Sequence, residues 1–206
     1  MAITLCFAVF STNRPEYLAR ALASQRLLNL DGCVAELGTV QKSGAQFSAA
    51  RTWRYALWRT WQEGEGHAMF IGLNPSTADE TQDDPTVRKC MGFAKRWGYG
   101  GIYMLNLFAY RSTDPRALLH VEDPVGPQNN EHLAMYARSA GIVVAAWGAF
   151  KIAEKRGEFV DGLLRAQGAN TANRLWHLRC LGVAKSGAPR HPLYVPYSQM
   201  HVSWRA

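Results

Sequence analysis

The sequence predicts an α/β fold with three layers, in which helices cover both faces of a mostly parallel, four-stranded central sheet. Four short apolar runs have the length and composition of buried strands, and they lie at residues 67–73, 102–107, 142–147 and 175–181. Segments with helical signals separate these runs. Because buried strands that alternate with helices are typical of parallel sheets, the order of the elements favours this layered arrangement.

The chain is predicted to divide into two regions. Residues 1–45 are predicted to be an N-terminal extension of unknown role, with a helix over residues 15–28 and a turn-rich linker that includes Ser43 and Gly44. Residues 46–206 are predicted to form a single α/β domain. At its start, residues 53–57 alternate between apolar or aromatic side chains and other residues, which indicates a half-buried strand, and a turn follows over residues 63–66.

The helices of the domain have recognisable starts and ends. Asp84 is a favoured N-cap, Pro85 suits the first helical position, and Gly98 is typical of the residue that follows a helix. Further helices are predicted over residues 127–139 and 150–167. Residues 187–194 contain two prolines and are predicted to form a constrained loop.

The bulk composition suits one domain that binds an anionic partner. The chain has 206 residues, of which 48% are hydrophobic, and this is enough for a full core. It carries 23 lysines and arginines against 16 acidic residues, a net charge of +7. Such an excess favours nucleic acid, here DNA, as the partner. The signatures of dinucleotide-binding and P-loop proteins are absent, so these classes lack support.

The cysteines and the apolar segments indicate the compartment. The four cysteines, at positions 6, 33, 90 and 180, include no CxxC pair, which argues against a zinc ribbon or a compact disulfide scaffold. We expect buried free thiols in a reducing cytoplasm, with neither a metal nor a cofactor. No apolar run reaches the length of a membrane span, and the apolar start over residues 2–10 lacks the basic lead of a signal peptide. A cytoplasmic protein without a membrane partner is predicted.

The segment Gly72-Leu73-Asn74-Pro75-Ser76-Thr77-Ala78-Asp79 is the most informative part of the chain. It ends an apolar strand, since Pro75 lacks an N–H group and biases Asn74 toward an extended backbone. One interpretation is structural: Ser76 and Asp79 have the spacing of a capping box, so that a helix would follow. The other is functional: Asn74 stands at the carboxyl end of a buried strand, where open α/β sheets bind ligands.

Other strand ends carry further candidates at the same predicted edge of the sheet. Asn106 lies inside an apolar strand, where its amide needs a partner, either loop backbone or the polar edge of a ligand. His191 precedes Pro192, which fixes the backbone beside the imidazole. Gly148, which follows Trp147, is predicted to have a mainly structural role in a turn or a close backbone approach.

Taken in order, these motifs resemble those of the uracil-DNA glycosylase superfamily over roughly residues 67–197. GLNPS is similar to the first motif of the superfamily, and Asn106 in MLNLFAYR is similar to its base-reading asparagine. VVAAWGAFKIAEKRG is similar to its Trp-Gly-Ala segment, and HPLY is similar to its His-Pro-Ser motif. Residues 51–197 more closely resemble a bacterial and phage family described only as a domain of unknown function. That family carries GLNPSTAD, DDPTVR, NLFAYR, WGA and HPLY in this order.

The glycosylase resemblance implies a glycosylase-like fold and a hydrolase that removes a uracil-like or modified base from DNA after flipping it out of the stack. Asn74 would hold the attacking water. The carboxylate beside this water would come from Asp79, with Asp83 and Asp84 as alternatives. Asn106 would bind the polar edge of the base, and His191 would donate to the base oxygen where negative charge develops.

The same resemblance assigns further residues to binding. Four residues of the first motif would line the base pocket: Gly72, Leu73, Pro75 and Ser76. Either of two aromatic residues would stack on the base: Phe108 or Tyr110. Either of two neighbours would fill the gap that the flipped base leaves: Leu193 or Tyr194. Four basic residues would contact phosphates, which position a nucleic acid without reading its sequence: Arg88, Arg111, Lys185 and Arg190.

Two departures from the superfamily keep other functions open. HPLY lacks the serine of His-Pro-Ser, and no aromatic residue directly follows GLNPSTAD. One alternative is a protein that binds a modified base or a nucleotide without cleaving it, in the context of phage DNA modification. Another is a small-molecule enzyme on an unrelated α/β scaffold, whose basic charge is incidental.

Overall fold

A computed structural model of the chain describes residues 42–61, 66–168 and 178–205, which belong to one compact unit. Three sequence predictions lie wholly or partly outside the described residues. These are the helix over residues 15–28, the turn over residues 63–66 and the first part of the strand over residues 175–181.

The described residues form a mixed sheet of seven strands. In chain order the strands are β1 (Ser43–Phe47), β2 (Arg54–Thr60), β3 (His67–Gly72), β4 (Gly101–Asn106), β5 (Ile142–Ala145), β6 (Arg179–Cys180) and β7 (Val202–Ser203). Side by side, their order is β1-β2-β4-β3-β5-β6-β7. The neighbours β4–β3, β3–β5 and β5–β6 pair in parallel, whereas β1–β2, β2–β4 and β6–β7 are antiparallel.

The prediction of a four-stranded, mostly parallel sheet is therefore wrong in strand number and in the share of parallel pairs. The four predicted strands are the central ones, and all of their mutual pairs are parallel. The strands added at the edges have weak local signals. β1 starts at Ser43, inside the segment predicted to be a linker, and β7 has only two residues.

β2 is not the half-buried strand that the alternation predicts, because both of its faces are covered: Ala56 packs in one core cluster and Leu57 in the other. The strand also carries a β-bulge. Gln46 of β1 pairs with Ala56, but Phe47 pairs with Arg54, so Tyr55 is an extra residue. The bulge shifts the alternation of side chains. Tyr55 then stacks on His132 on one side of the sheet, at 4.9 Å between ring centroids, whereas Arg54 lies on the other side. Both side chains are buried.

Within the described ranges, three helices cover the sheet: α1 (Pro85–Arg96), α2 (Asn129–Ser139) and α3 (Ala153–Gly168). The predicted limits of α1 are confirmed, since Asp84 Oδ1 accepts from Val87 N at 2.8 Å and Gly98 has a φ of +81°. Helices α2 and α3 start two and three residues later than predicted. Two short 3₁₀ helices, Pro115–Leu119 and Pro192–Tyr194, lie in the connections.

The helices lie on both faces of the sheet, as predicted. On one face, Phe93 of α1 packs in a cluster that contains Phe70 of β3. On the other, Leu133 of α2 and Val160 of α3 pack in a cluster that contains Met69 of β3. Adjacent residues of β3 therefore face two different helical layers, which explains why this strand is apolar throughout.

The capping-box interpretation of Ser76 and Asp79 is wrong, because no helix begins in the segment that follows β3. Asp79 instead organises a turn: its Oδ1 accepts from the backbone N–H groups of Gln82, at 2.8 Å, and Thr81, at 2.9 Å. The side chain satisfies these donors locally, as aspartate commonly does in turns. The segment between β3 and α1 therefore stays irregular.

Two composition-based expectations can be compared with the described residues. Cys90 and Cys180 are buried free thiols, as predicted, whereas Cys6 and Cys33 lie outside the described residues. None of the helices in the described ranges combines the length and the apolar character that crossing a membrane would require.

Candidate functional site

A cavity of about 370 Å³ opens at the carboxyl edge of the parallel strands. β3 has β4 on one side and β5 on the other, so the chain crosses from one side of β3 to the other between β4 and β5. Such a crossover leaves a crevice at the carboxyl ends of the strands, where α/β proteins bind ligands. β2 runs in the opposite direction, so its first residue, Arg54, also lies at this edge.

The cavity brings together seven of the residues that the sequence predicts for the site. They are Gly72, Leu73, Asn74, Ser76, Asn106, His191 and Tyr194. These residues come from three separated parts of the chain, namely the turn after β3, the end of β4 and the loop over residues 187–194. The parallel pairing of β3 and β4 and the return of that loop place them around one space.

Asn74 joins two loops at the rim of the cavity. Its Nδ2 donates to the carbonyl oxygen of Ser112 at 2.8 Å and to that of Pro75 at 3.1 Å. Ser112 N also donates to the Pro75 carbonyl, at 3.0 Å. Among the described residues, the side-chain oxygen of Asn74 has no hydrogen-bond partner, so this atom can accept from a water or a ligand.

Asn106 presents an unpaired amide to the cavity. The residue is 3% exposed, and its Nδ2 is buried without a hydrogen-bond partner in the described part of the chain. Its Oδ1 lies 2.7 Å from the position that a Cβ on Gly72 would occupy, so glycine at that position leaves room for the amide. A buried donor without a partner costs roughly 1–3 kcal/mol, and an acceptor on a ligand would remove this cost.

His191 offers a single N–H donor to the cavity. Its Nδ1 accepts from Leu193 N at 3.4 Å, at the start of the 3₁₀ helix, so Nε2 carries the proton in the neutral ring. Burial lowers the pKa of His191, and this effect exceeds the opposing influence of Asp84. The imidazole is therefore neutral at pH 7 and can donate from Nε2.

Arg54 is a buried cation that the sequence analysis did not assign to the site. The residue is 2% exposed, its Nη1 donates to the Ala78 carbonyl at 2.8 Å, and its buried Nε has no partner among the described residues. Burial lowers the pKa of Arg54 to about 10, so the guanidinium stays charged at neutral pH. Its one signal in the sequence is an arginine in a run of aromatic and apolar residues, where an unpaired charge is costly.

Asp84 is the one carboxylate among the described residues that line the cavity. Its Oδ1 caps α1 by accepting from Val87 N, and its Oδ2 has no hydrogen-bond partner in the described ranges. Burial lowers the pKa values of Arg54 and His191, and the negative charge of Asp84 opposes this effect in both cases without reversing it. Asp84 is therefore close enough to influence both groups.

The third strand end contributes a wall that the sequence analysis regarded as structural. Trp147, Gly148, Ala149 and Phe150 all line the cavity. Trp147 is buried and meets the ring of Trp204 edge-on, with 5.0 Å between centroids. Gly148 has a φ of +77°, and a Cβ there would lie 3.3 Å from the Cβ of His191. The predicted close approach at Gly148 is confirmed, and Phe150 provides an aromatic side chain that the motifs did not identify.

The structure places the two other carboxylates proposed for catalysis outside the cavity lining. The Oδ1 of Asp79 holds the turn described above, and hydrogen bonds from Thr81 and Gln82 lower the pKa of this carboxyl group. Asp83 pairs with Arg59 at 2.8 Å. Of the three aspartates considered, only Asp84 lines the cavity.

Several residues predicted to bind the base or phosphates also do not line this cavity. Phe108 is buried in the core beside α2 and α3, and Leu193 is exposed. The remaining ones are Pro75, Arg88, Lys185 and Arg190. Arg88 donates to the carbonyl oxygen of Asp83.

Tyr110 and Arg111 lie beside the cavity, in an open depression that we call the basic groove. Its lining residues are Arg51, Thr52, Ser76, Thr77, Tyr110, Arg111, Ser112 and Thr113, and its volume is about 590 Å³. Ser76, Ser112 and Thr113 line both the groove and the cavity, so the two spaces adjoin.

The described residues contain no group of three or more His, Cys, Asp or Glu side chains placed to hold a metal ion. Asp84 and His191, which line the cavity, are the two groups of this kind that the site offers. The lining residues supply amide, imidazole, guanidinium and carboxylate groups to this site.

Comparison with known families identifies the domain. Residues 54–193 match the family described as "Protein of unknown function (DUF1643)". The chain belongs to this family. The DUF1643 match begins at Arg54, the first residue of β2, and ends at Leu193. It therefore includes every described residue that lines the cavity except Tyr194.

The resemblance to a family described as a domain of unknown function is thereby confirmed, whereas the glycosylase resemblance stays a prediction. Among the curated proteins and the solved structures that were compared, none matches this DUF1643 chain.

Proposed function

We propose that the cavity of this DUF1643 domain binds a nucleobase and that the protein is a DNA glycosylase-like hydrolase acting on a uracil-like or modified base. The observation that carries the proposal is the amide of Asn106. It is buried, lines the cavity, and has a donor without a partner. An amide matches the adjacent donor and acceptor on the edge of a base, and enzymes that flip bases read that edge through hydrogen bonds.

The other groups of the cavity support a role in bond cleavage. His191 is a neutral donor, suited to a carbonyl oxygen of the base that gains negative charge as the base departs. Asp84 supplies a carboxylate with a free oxygen that can accept a proton from water. Arg54 provides a fixed positive charge at the same site, which favours an anionic leaving group.

The reaction would be a displacement at the sugar. A water oxygen forms a bond to C1′, the bond between C1′ and the base nitrogen breaks, and its electron pair leaves with the base. Asp84 takes the proton that the water loses and later releases it to solvent. The departing base, stabilised by the hydrogen bond from His191 Nε2, takes up a proton from solvent.

One observation favours a second candidate, a domain that binds a base or nucleotide without cleaving it. The Nδ2 atom of Asn74, the residue assigned to the attacking water, is committed to the carbonyls of Ser112 and Pro75. A residue that holds two loops in this way has a structural reason to be asparagine. In this alternative, Asn106 and His191 recognise the ligand, and Asp84 acts only as a helix cap.

Incubation with single-stranded and duplex oligonucleotides that carry uracil, hypoxanthine or hydroxymethyluracil distinguishes the two candidates. Formation of abasic sites that is lost in His191→Ala and Asp84→Asn, but kept in the exposed control His120→Ala, supports hydrolysis. Binding that depends on Asn106 without any abasic product supports the second candidate. If DNA binding is insensitive to salt or absent, the hydrolase acting on DNA is wrong, because phosphate contacts weaken as salt rises. The second candidate is wrong if, in addition, no free base or nucleotide binds in a way that depends on Asn106.

A further inference from the structure

We propose that the basic groove is a phosphate-binding subsite that continues the base-binding cavity, so that the ligand of this domain is a nucleotide unit and not a free base. The phosphate would belong either to a mononucleotide or to the backbone of a single-stranded nucleic acid. The base half of this inference rests on the proposed function, whereas the phosphate half rests on the groove alone.

Two guanidinium groups converge in the groove on one aromatic ring. The Cζ atom of Arg51 lies 3.8 Å and that of Arg111 lies 4.8 Å from the centroid of Phe47. Arg51 is neutralised by Glu80, whose two carboxylate oxygens accept at 2.7 and 2.9 Å. The charge of Arg51 is therefore balanced within the protein, and the charge that remains uncompensated at this ring is that of Arg111.

Arg111 is the cation left without a partner. It has no ion pair and no side-chain hydrogen bond with any described residue, and its Nε is buried. No aspartate or glutamate is among the groove-lining residues of the described chain. A guanidinium with free donors in an acid-free depression matches the geometry of a phosphate group, which it can bind through two parallel hydrogen bonds.

The groove also provides hydroxyl groups that are free to bind. Four of its side chains form no hydrogen bond with any described residue: Thr52, Ser76, Thr77 and Thr113. Hydroxyls and arginine together are the donors that proteins commonly direct to phosphate oxygens. By contrast, Ser112 Oγ is already used, since it donates to the Asp114 carbonyl at 2.8 Å.

The shared wall links the groove to the cavity. Ser112, whose carbonyl oxygen accepts from Asn74 Nδ2, lines both spaces, and so do Ser76 and Thr113. A nucleotide with its base beside Asn106 would therefore extend its sugar across this wall and its phosphate toward Arg111. Asn74 is then a positioning residue, because it holds the loop that separates the two subsites.

Calorimetric titration of the full chain with four kinds of probe tests this assignment. The probes are 2′-deoxyuridine, its 5′- and 3′-monophosphates, inorganic phosphate, and a short single-stranded oligonucleotide that contains one deoxyuridine. The variants are Arg111→Ala, Thr113→Val as a smaller change that spares the contact of Arg111 with Phe47, and Arg96→Ala as the control. Arg96 is an exposed residue in the last turn of α1 and lines neither subsite.

We expect at least one phosphorylated probe to bind about tenfold or more tightly than the nucleoside, as hydrogen bonds to a charged group would allow. Arg111→Ala should abolish that preference and weaken the binding of inorganic phosphate. Thr113→Val should reduce both several-fold, and Arg96→Ala should change neither. If only a monophosphate binds more tightly than the nucleoside, the ligand is a mononucleotide. A gain confined to the oligonucleotide, with a salt slope that falls by about 1 in Arg111→Ala, identifies a nucleic-acid backbone.

Equal affinities for the nucleoside and the phosphorylated probes would contradict the proposed phosphate subsite. It would also be contradicted if both Arg111→Ala and Thr113→Val still bound phosphorylated probes more tightly than the nucleoside. Failure of the proposed function would look different. The binding of inorganic phosphate would still depend on Arg111, but no probe would bind the Asn106→Ala variant more weakly than the wild type.

Discussion

Asn129 holds the end of the strand that carries Asn106. Its Nδ2 donates to the carbonyl oxygens of Asn106, at 3.1 Å, and Leu107, at 3.0 Å, and Arg156 Nε adds a bond to the Leu107 carbonyl at 3.0 Å. Both asparagines are buried, but the amide nitrogen of one has two partners and that of the other has none. This contrast separates a residue that supports the fold from one that is available to a ligand.

Replacing Asn129 by alanine should destabilise the protein. The change removes two buried hydrogen bonds and leaves the Asn106 carbonyl without its side-chain donor, so the free energy of unfolding should fall by about 2–3 kcal/mol. Urea unfolding at pH 7 measures this change. The adjacent Gln128 is exposed and makes no side-chain cap bond, so Gln128→Ala should stay within about 0.5 kcal/mol of the wild type.

Asn106→Ala should behave in the opposite way. Because its Nδ2 has no partner in the described chain, its removal should change the free energy of unfolding by less than about 1 kcal/mol, while ligand binding is lost. The same urea experiment, combined with titration of the oligonucleotide probes, measures both effects. A stability loss equal to that of Asn129→Ala would show that the Asn106 amide is satisfied within the folded protein.

Gly72→Ala should disturb the site through a direct contact. The new Cβ would lie 2.7 Å from Asn106 Oδ1, so the amide has to move, and we expect weaker ligand binding with a stability loss of about 1–3 kcal/mol. Gly162 of α3 is a matched control, since nothing lies within 4 Å of its added Cβ. Gly162→Ala should stabilise the protein by about 0.5–1 kcal/mol. Unchanged binding in Gly72→Ala would contradict the assigned position of the Asn106 amide.

Two substitutions at Asp84 should separate its structural and chemical roles. Asn is as good an N-cap as Asp, so Asp84→Asn should preserve stability while it removes the carboxylate from the cavity and abolishes any base release. Asp84→Ala should also lose the bond to Val87 N, at a cost of about 0.5–2 kcal/mol. Denaturant unfolding and assays for abasic sites compare the two variants. Base release at wild-type rates in Asp84→Asn would eliminate Asp84 as the proton acceptor.

The stability of the protein should decrease as the pH falls below neutral. Burial lowers the pKa values of four histidines: His67, His132, His191 and His201. In the unfolded chain these groups titrate at about pH 6.5. Below that pH the unfolded state takes up protons that the folded state does not, so the free energy of unfolding falls.

Urea unfolding at pH 7.5, 6.5 and 5.5 would measure this dependence, in a range about one unit above and below the unfolded-state value. His191→Gln should flatten the slope, because it removes one of the four groups. Stability that is constant or rises toward pH 5.5 would contradict the direction of these shifts.

The central part of the fold could be predicted because its signals are local. Each parallel strand is an apolar run that must be buried on two faces, as Met69 and Phe70 show by facing different helical layers. The start of α1 is equally local, since Asp84 and Pro85 satisfy the first turn of the helix by themselves. Strands β1 and β7 escaped prediction because they are held in the sheet by their neighbours, not by a pattern of their own.

Chain order and composition by themselves determined which polar residues follow the parallel strands, and so predicted that Asn74, Asn106 and His191 would meet. Tertiary structure alone decided which other groups join them. Arg54 lies at the site because β2 is antiparallel to β4 and carries a bulge at Tyr55, and Asp84, not Asp79, faces the cavity because Asp79 closes a turn. These outcomes depend on strand direction, register and competing hydrogen bonds, which are properties of the assembled fold.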